Sequence, residues 1–306
     1  MLLLDKPVGS TSTGALTRVK RALNAIKAGH TGTLDPMASG LLPLCFGEAT
    51  KFAADLLDAD KSYEATLQLG ATTTTGDAEG EIVEVRPVAV DIFAIEGALA
   101  RFRGEIEQVP PMYSALKRDG RPLYQYARAG VTLERAARRV TIFRLALVDW
   151  KELNSGQGQN TLLKISVDCS KGTYVRTLAE VIGAVLGCGA HLVALRRTRV
   201  GTLDLAGAVS LDAVEAAPAG ERPDFLLPVD ALLASLPRIL LDAALSARFV
   251  QGQRLPNQSS IPGSFSGIVR VYGSNTAGQT VLLGTGEMRA DGVLAPERLV
   301  RSATVR

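Results

Sequence analysis

Residues 140–150 (VTIFRLALVDW) and 160–170 (NTLLKISVDCS), followed by TYVRTLAEVIGAVLG at 173–187, decide the fold of this chain. The first two segments have the composition of β-strands, and the polar stretch at 151–159 between them is typical of a turn, which predicts a β-hairpin. The third segment has apolar residues at helical spacing and predicts an amphipathic helix. Because two strands follow one another directly, the sequence favours an α+β fold with a mixed, largely antiparallel sheet and flanking helices over a regular βαβ array.

The same kind of pattern extends toward the N-terminus. Residues 2–4 predict a short strand that ends in a Pro/Gly turn. Ser10 or Ser12 is the expected N-cap of the helix that follows. Hydrophobic periodicity predicts helices at 13–26, 48–59 and 93–104 and a strand at 61–70.

Proline, glycine and charge interrupt the pattern at AAPAGERPDFLLPVD, residues 216–230. A short helix at 244–252 and β-rich sequence follow, which predicts a small β-barrel-like module. Such interruptions are typical of domain boundaries. We therefore expect a larger domain at 1–235 and a smaller module at 236–306.

Composition excludes several classes of protein. Of the 306 residues, 46% are hydrophobic and 21% are charged, which indicates a globular protein rather than a disordered or fibrous one. No apolar run is long enough to cross a bilayer, and the N-terminus does not resemble a signal peptide, so no membrane association is expected. Three scattered cysteines and two histidines predict a cytoplasmic protein without a metal site or a disulfide framework.

Charge is distributed unevenly along the chain. Residues 48–110 contain thirteen acids against five bases, whereas residues 1–30 have a balance of +4 and residues 111–139 a balance of +5. Within 111–139 the bases alternate with tyrosines, which can stack on exposed nucleobases. A solvated basic face is the alternative. The interleaved tyrosines favour RNA with unpaired bases as the partner.

The loop GHTGTLDP at 29–36 is the best candidate for chemistry. Asp35 precedes a proline and follows two glycines, so either it caps its own loop as an Asx-turn or it acts on a ligand. Farther along the chain, SKGTYVRT introduces Arg176 at a loop-to-helix junction. An arginine beside a carboxylate keeps it ionised and oriented, as a nucleophile requires, but the sequence does not show that the two meet.

Six motifs occur together and in a fixed order. They are DKPVGSTS (5–12), GHTGTLDPMASGLLPLCFGEATKF (29–52), DKSYEATLQLG (60–70), MYSALK (112–117), CSKGTYVRTL (169–178) and GCGAHLVALRRTRVG (187–201). From Leu3 to Gly201 the chain resembles the TruB-type tRNA pseudouridine synthases, and the tail resembles their PUA-type RNA-binding module. One departure is Thr74, where the family usually has an acidic residue.

The resemblance implies that a uridine in the T loop of tRNA, position 55, is flipped out and isomerised to pseudouridine without a cofactor or metal. The partner is then the T arm of tRNA, and no obligate protein partner is indicated. Asp35 corresponds to the nucleophile, which attacks either C1′ of the sugar or C6 of the base. The resemblance implies substrate contacts by His30, Tyr63, Tyr174, Arg176 and Leu195. It implies RNA contacts through an insertion at about 111–139, which contains Lys117, Arg118 and Arg121. Arg196 and Arg197 are predicted RNA contacts because the basic stretch LRRTRVG at 195–201 has no acidic residue in it.

Three alternatives remain at this stage. A hydrolase using His30 and Asp35 would require a third ligand or a serine elbow, and the chain contains neither HExxH nor GxSxG. A non-catalytic RNA-binding or tRNA-folding factor would use only the basic surfaces. A pseudouridine synthase with another RNA target is also compatible, because the catalytic loop does not define the RNA.

Overall fold

The computed structural model describes residues 1–155, 158–256, 265–274 and 278–300, with the side chains of residues 55, 152–155 and 158–160 excepted. The α-helices in these ranges are α1 (Ser12–Ala22), α2 (Ala53–Leu57), α3 (Ile92–Ala100), α4 (Leu123–Arg128), α5 (Val175–Val185), α6 (Leu211–Ala216) and α7 (Ala243–Val250). The strands of the N-terminal half are β1 (Leu2–Lys6), β2 (Ala28–His30), β3 (Ala38–Phe46), β4 (Lys61–Leu69), β5 (Ala71–Thr73), β6 (Ile82–Val85), β7 (Gly104–Gln108), β8 (Lys117–Arg118) and β9 (Arg121–Pro122). The remaining strands are β10 (Arg138–Ser155), β11 (Gly158–Cys169), β12 (Ala190–Val200), β13 (Leu203–Asp204), β14 (Val209–Ser210), β15 (Arg238–Leu240), β16 (Gly267–Ser274), β17 (Thr280–Met288) and β18 (Leu294–Leu299).

One large sheet contains most of the strands between residues 2 and 210. Its strand order is β14-β1-β3-β12-β4-β11-β10-β7, with β2 on β3 and β13 on β12. The pairs β1–β14 and β3–β12 are parallel, and the other pairs are antiparallel. The predicted mixed, largely antiparallel sheet is therefore confirmed.

The predicted hairpin lies toward one edge of that sheet, with β7 as the edge strand beside β10. Strands β10 and β11 pair from Ile142–Cys169 outward to Ser155–Gly158, so both run farther into the polar segment than the sequence indicated. Residues 156 and 157 of the predicted turn lie outside the described residues. Apolar side chains of β4 and β11 pack against α5, the predicted amphipathic helix, and build the principal core.

Two helix predictions needed correction. Thr11, rather than Ser10 or Ser12, caps α1 by accepting the Gly14 N–H at 2.9 Å. The Ser12 hydroxyl forms hydrogen bonds with the backbone of Leu34 instead. The helix predicted at 48–59 is a 3₁₀ turn (Gly47–Lys51) followed by α2, and the break lies at Phe52. Phe52 is fully buried in a core cluster, so packing overrides the local helical pattern.

The tail forms a separate four-stranded sheet, β15-β16-β17-β18, with α7 packed on it. The predicted β-rich module is confirmed, but in the described part of the tail the sheet does not close into a barrel. The tail contacts the preceding part of the chain, since Leu282 and Val300 pack against the cluster that contains Leu232 and Leu233. Lys51 also donates to the Leu299 carbonyl at 2.7 Å.

Candidate active site

The loop between β2 and β3 carries Asp35 and is held by hydrogen bonds. Ser12 of α1 accepts the Leu34 N–H at 2.8 Å and donates to the Leu34 carbonyl at 2.9 Å. The Asp35 carbonyl accepts the Ala38 N–H at 3.0 Å, which leads the chain into β3. Gly32 has a φ of 99°, a conformation that side-chain-bearing residues rarely adopt. The glycine lets the loop turn sharply, and α1 fixes where Asp35 lies.

Arg176, in the first turn of α5, reaches Asp35. Its Nη2 donates to Asp35 Oδ2 at 2.8 Å and to the Tyr113 carbonyl at 3.0 Å. Its Nη1 donates to the Thr75 carbonyl at 3.3 Å and lies 3.1 Å from Asp77 Oδ2. The arginine side chain is only 8% exposed, so these contacts are shielded from water. The structure thus brings together the two residues that the sequence singled out, and it adds a second carboxylate.

That second carboxylate, Asp77, is a site residue that sequence reasoning missed. Its side chain is 3% exposed and accepts hydrogen bonds from the Thr75 hydroxyl and from the Glu79 N–H. In the sequence it stands in TTTTGDAEG at 72–80, where an aspartate after a glycine is typical of a turn. Only its burial against Arg176 distinguishes it from an ordinary turn residue.

The pKa of the Asp35 carboxyl depends on burial and on two neighbouring cations, which act in opposite directions. Burial raises the pKa of its carboxyl above the usual value and neighbouring Asp77 adds to that rise, whereas Arg176 and Lys6 oppose it. Lys6 is itself fully buried, and its ammonium donates at 2.8 and 2.6 Å to two backbone carbonyls of the turn after β1. Burial lowers the pKa of Lys6 to about 8, so it is still a cation at neutral pH. Arg176 and Lys6 therefore favour the ionised form of Asp35, whose side chain is 44% exposed, and an ionised carboxylate open to the cavity suits a nucleophile.

A cavity of about 370 Å³ opens beside the Asp35–Arg176 pair. Tyr63, Tyr174 and Leu195 line it, as the sequence comparison implied for the base pocket. Tyr63 and Leu195 lie on the adjacent strands β4 and β12 and pack against both of the neighbouring core clusters. Burial raises the pKa of both tyrosines, so their hydroxyls are protonated at neutral pH. An aromatic ring and a leucine at one end of a cavity can hold a planar base near a carboxylate.

His30 lies at the start of the loop that carries Asp35 but is not among the residues that line this cavity. It ends β2, opposite Leu44, and lines neither this cavity nor the larger one of about 600 Å³ beside it. Its Nδ1 is buried without a hydrogen-bond partner, and burial lowers its pKa. Contact of His30 with the substrate stays a prediction.

Comparison with protein families agrees with this geometry. The N-terminal domain model of the TruB family pseudouridylate synthases matches residues 20–175, which contain Asp35 and Tyr63. The C-terminal domain model of tRNA pseudouridylate synthase B matches residues 176–234, and the C-terminal model of pseudouridine synthase II TruB matches residues 237–300. This chain belongs to the TruB family of pseudouridylate synthases.

Individual relatives extend the match to almost the whole chain. The tRNA pseudouridine synthase B of Cupriavidus metallidurans is 58% identical over 98% of this chain and 94% of the relative. That of Ralstonia pickettii is 59% identical over 98% of this chain and 93% of the relative.

Solved structures share the fold. An H/ACA RNP bound to a substrate RNA containing 2′-deoxyuridine includes a chain with a TM-score of 0.68 and 22% identity, covering 98% of this chain and 84% of that one. A Cbf5-Nop10-Gar1 complex gives a TM-score of 0.67 and 25% identity, covering 97% of this chain and 84% of that one.

The departure from the TruB family pattern at Thr74 has a local explanation. The Thr74 hydroxyl accepts the Glu81 N–H at 3.1 Å, and its own N–H donates to the Glu81 carbonyl at 2.9 Å. The substitution is therefore accommodated within the turn that carries Asp77.

The basic insertion at 111–139 forms a strap beside the larger cavity. The short hairpin β8–β9 exposes Lys117, Arg118 and Arg121, and α4 follows it directly. Lys117 lines the larger cavity together with Asp35 and Arg176. Cation–π contacts join Arg121 to Tyr126 and Arg128 to Tyr124. The strap thus presents positive charge at the edge of the TruB-family site.

The two arginines predicted on β12 have different environments. Arg196 is partly exposed and makes a bidentate pair with Asp5, at 3.1 and 2.7 Å. Arg197 is 1% exposed, and its hydrogen bonds go to protein groups. The placement of Arg197 does not support the predicted contact with RNA, because its guanidinium is directed into the protein. Contact of Arg196 with RNA stays a prediction.

Neither a cluster of metal ligands nor a membrane-spanning helix occurs in the part of the chain that the structure describes. No group of three or more histidine, cysteine, aspartate or glutamate side chains there is arranged to hold a metal ion. No helix in those ranges is long and apolar enough to span a membrane.

Proposed function

We propose that this chain isomerises the uridine at position 55, in the T loop of tRNA, to pseudouridine. The names of its relatives support tRNA as the substrate. The observation that carries the proposal is the Asp35–Arg176 contact of 2.8 Å at the mouth of a cavity walled by Tyr63 and Leu195. A nucleophile, a cation that orients it and a slot for a planar ring are what chemistry on a flipped base requires.

In this reaction the C1′–N1 bond breaks and a C1′–C5 bond forms. The hydrogen on C5 is lost and N1 gains a proton, so the product is an isomer of the substrate. Asp35 supplies the nucleophile, and Arg176 holds its carboxylate ionised and directed into the cavity. Tyr63 stacks on the uracil and Leu195 supports the other face. Tyr174 closes the side of the pocket.

The remaining surfaces bind the RNA in this proposal. The strap residues Lys117, Arg118 and Arg121 neutralise phosphates of the T arm, and the tyrosines near them stack on unpaired bases. Residues 1–235 form the catalytic domain, and residues 236–306 form an RNA-binding module that contacts tRNA away from the T loop. The separate sheet and core of the tail support that division.

The test is a nucleoside analysis of an unmodified tRNA transcript after incubation with the protein. We expect one pseudouridine per tRNA, mapped to position 55 by reverse-transcription stops after carbodiimide treatment, and none in a transcript with cytidine at that position. Asp35→Asn should fold and bind tRNA but form no product, because the amide is nearly isosteric and is not an anionic nucleophile. Asp212→Asn, an exposed residue of α6, is the matched control and should be fully active.

Each failure would identify a different error. Pseudouridine at another position would leave the chemistry intact and change the RNA target. Binding without product by the wild type would favour the tRNA-folding factor. Product formed in a single turnover by a verified Asp35→Asn protein would overturn the assignment of the nucleophile.

A further inference from the structure

Gln108 is a buried amide at the end of the edge strand β7. Side chains alternate along that strand, so Ile106 and Gln108 point to the same face, where Ile106 packs against the principal core. Gln108 is 4% exposed, and its backbone ends the β7–β10 ladder opposite Arg138. A polar group at such an inward position is unfavourable unless both its donor and its acceptor are satisfied. The partners of Gln108 therefore indicate what a glutamine does at this point.

Both ends of the Gln108 carboxamide bind the backbone of one residue, Tyr174. The oxygen Oε1 accepts the Tyr174 N–H at 3.0 Å, and the nitrogen Nε2 donates to the Tyr174 carbonyl at 3.3 Å. A carboxamide offers a donor and an acceptor side by side, which matches the one donor and one acceptor of a residue's backbone. Gln108 thus holds Tyr174 as a neighbouring strand would, although 66 positions separate the two residues in the chain.

Tyr174 is the residue at which α5 begins. It is the N-cap of that helix, and its carbonyl also accepts the first intrahelical bond, from the Leu178 N–H at 3.0 Å. The N–H groups at the start of a helix have no carbonyl one turn before them, so an acceptor from elsewhere must satisfy them. Gln108 supplies that acceptor for Tyr174. The carboxamide therefore fixes the point from which the helix leaves the loop.

The position of this helix start affects two groups of the active site at once. The Tyr174 ring lines the cavity beside Asp35, and Arg176, two residues later, donates to the Asp35 carboxylate at 2.8 Å. A shift of the Tyr174 backbone would displace the ring and the guanidinium together. Catalytic rates respond strongly to such shifts, because a misplacement of about 1 Å can cost on the order of a hundredfold in rate.

The chain that follows Gln108 makes a second contact with the same turn of α5. Pro110 and Pro111 restrict the backbone there, since a proline ring fixes its φ angle. Shortly after them, the Tyr113 carbonyl accepts from Nη2 of Arg176 at 3.0 Å. The segment from Gln108 to Tyr113 therefore contacts the first turn of α5 at both of its ends, directly before the strap begins.

We propose that Gln108 is a positioning residue of the reaction: its carboxamide fixes the backbone of Tyr174, and thereby the ring beside the flipped uracil and the turn that presents Arg176 to Asp35. Gln108 acts through Tyr174 and is assigned no contact with the RNA. This inference rests on the proposed function, because it concerns the same base pocket.

The first test is Gln108→Met in the full-length protein. Methionine has a similar length, but it has no donor and its sulfur is only a weak acceptor. At saturating tRNA, single-turnover formation of pseudouridine should be about tenfold slower or more, because the pocket loses its fixed geometry. The affinity for tRNA should stay within about threefold, because the charges that contact phosphates are unchanged. Circular dichroism establishes that the variant is folded.

The matched control is Gln68→Met. Gln68 is a half-buried residue of β4 that lines neither cavity, and its variant should stay within about twofold of the wild-type rate. A folded Gln108→Met protein with a rate within about twofold of the wild type would overturn the proposal, even if its melting temperature were lower, because the glutamine would then only stabilise the fold. A loss confined to tRNA affinity would overturn it as well.

A second variant, Gln108→Glu, keeps the shape of the side chain and adds a pH readout. An ionised carboxylate accepts from the Tyr174 N–H but cannot donate to its carbonyl, whereas a protonated carboxyl does both. Burial raises the pKa of such a carboxyl above about 4.3, and the nearby Arg138 and Arg176 lower it, so part of it is protonated at about pH 5 and almost none at about pH 8.

The ratio of the Gln108→Glu rate to the wild-type rate should therefore rise about twofold or more from about pH 8 to about pH 5, as the missing donor is restored. A ratio that stays constant over this range would overturn the proposal. A wild type that forms no pseudouridine would instead contradict the proposed function. Variants as active as an active wild type would contradict only the role of Gln108, so the two failures are distinguishable.

Discussion

Replacing Arg176 by lysine tests the centre of the site most directly. The guanidinium contacts two carboxylates at once, with nitrogen–oxygen distances of 2.8 Å to Asp35 and 3.1 Å to Asp77. A lysine ammonium has one nitrogen and cannot reproduce both contacts from this position on α5. Hydrogen bonds to charged groups contribute about 1.5–3 kcal/mol each. Loss of one such contact and weakening of the other should therefore cost about 2–4 kcal/mol of transition-state stabilisation, a roughly 30- to 1,000-fold lower rate.

The assay for this prediction separates chemistry from binding. Excess protein is mixed with tRNA carrying tritium at C5 of its uridines, and release of tritium to water measures the loss of the C5 hydrogen. Filter binding of the same tRNA should give an unchanged affinity, because the Arg176 side chain is only 8% exposed and the proposed phosphate contacts lie on the strap. Arg103→Lys is the matched control, since Arg103 donates at 2.9 Å to the Leu145 carbonyl outside the site. An Arg176→Lys rate within about twofold of the wild type would refute the reasoning, because the free-energy difference would be well below 1 kcal/mol.

Asp77→Asn should slow single-turnover catalysis about tenfold or more without weakening tRNA binding, because Arg176 loses one of the two carboxylates that hold its guanidinium in place. An unchanged rate would mean that Asp77 only stabilises its turn. The pKa of Lys6 is about 8 in the folded chain against 10.5 as its ordinary value, so the unfolded chain binds more protons between those pH values. The free energy of unfolding should therefore rise from pH 8 to 10.5, by up to about 3 kcal/mol, and urea titrations of the wild type should show this rise where Lys6→Met does not. Alanine at Lys117, Arg118 and Arg121 should reduce the slope of log affinity against log salt by up to about three, and an unchanged slope would place the strap outside the RNA interface.

Local pattern predicted the elements whose stability is local. The strands around 140–170, the helix α5 and the β-rich character of the tail were all predicted, because hydrophobic periodicity is a property of neighbouring residues. The ordered motifs likewise indicated the family and Asp35, since those residues lie in short, unusual strings such as GHTGTLDP.

Only the tertiary structure decided which residues meet. Asp77 and Arg176 are 99 positions apart in the chain. They come together because a β-bridge between Asp77 and Leu192 of β12 holds the turn of Asp77 beside α5. Packing also broke the predicted helix at Phe52. The clearest case is LRRTR at 195–199, in which adjacent arginines differ completely: Arg196 pairs with Asp5 and Arg197 is buried against Tyr63. Successive residues of a strand point to opposite faces, so a basic run in the sequence does not show which of its charges faces solvent until the sheet and its packing exist.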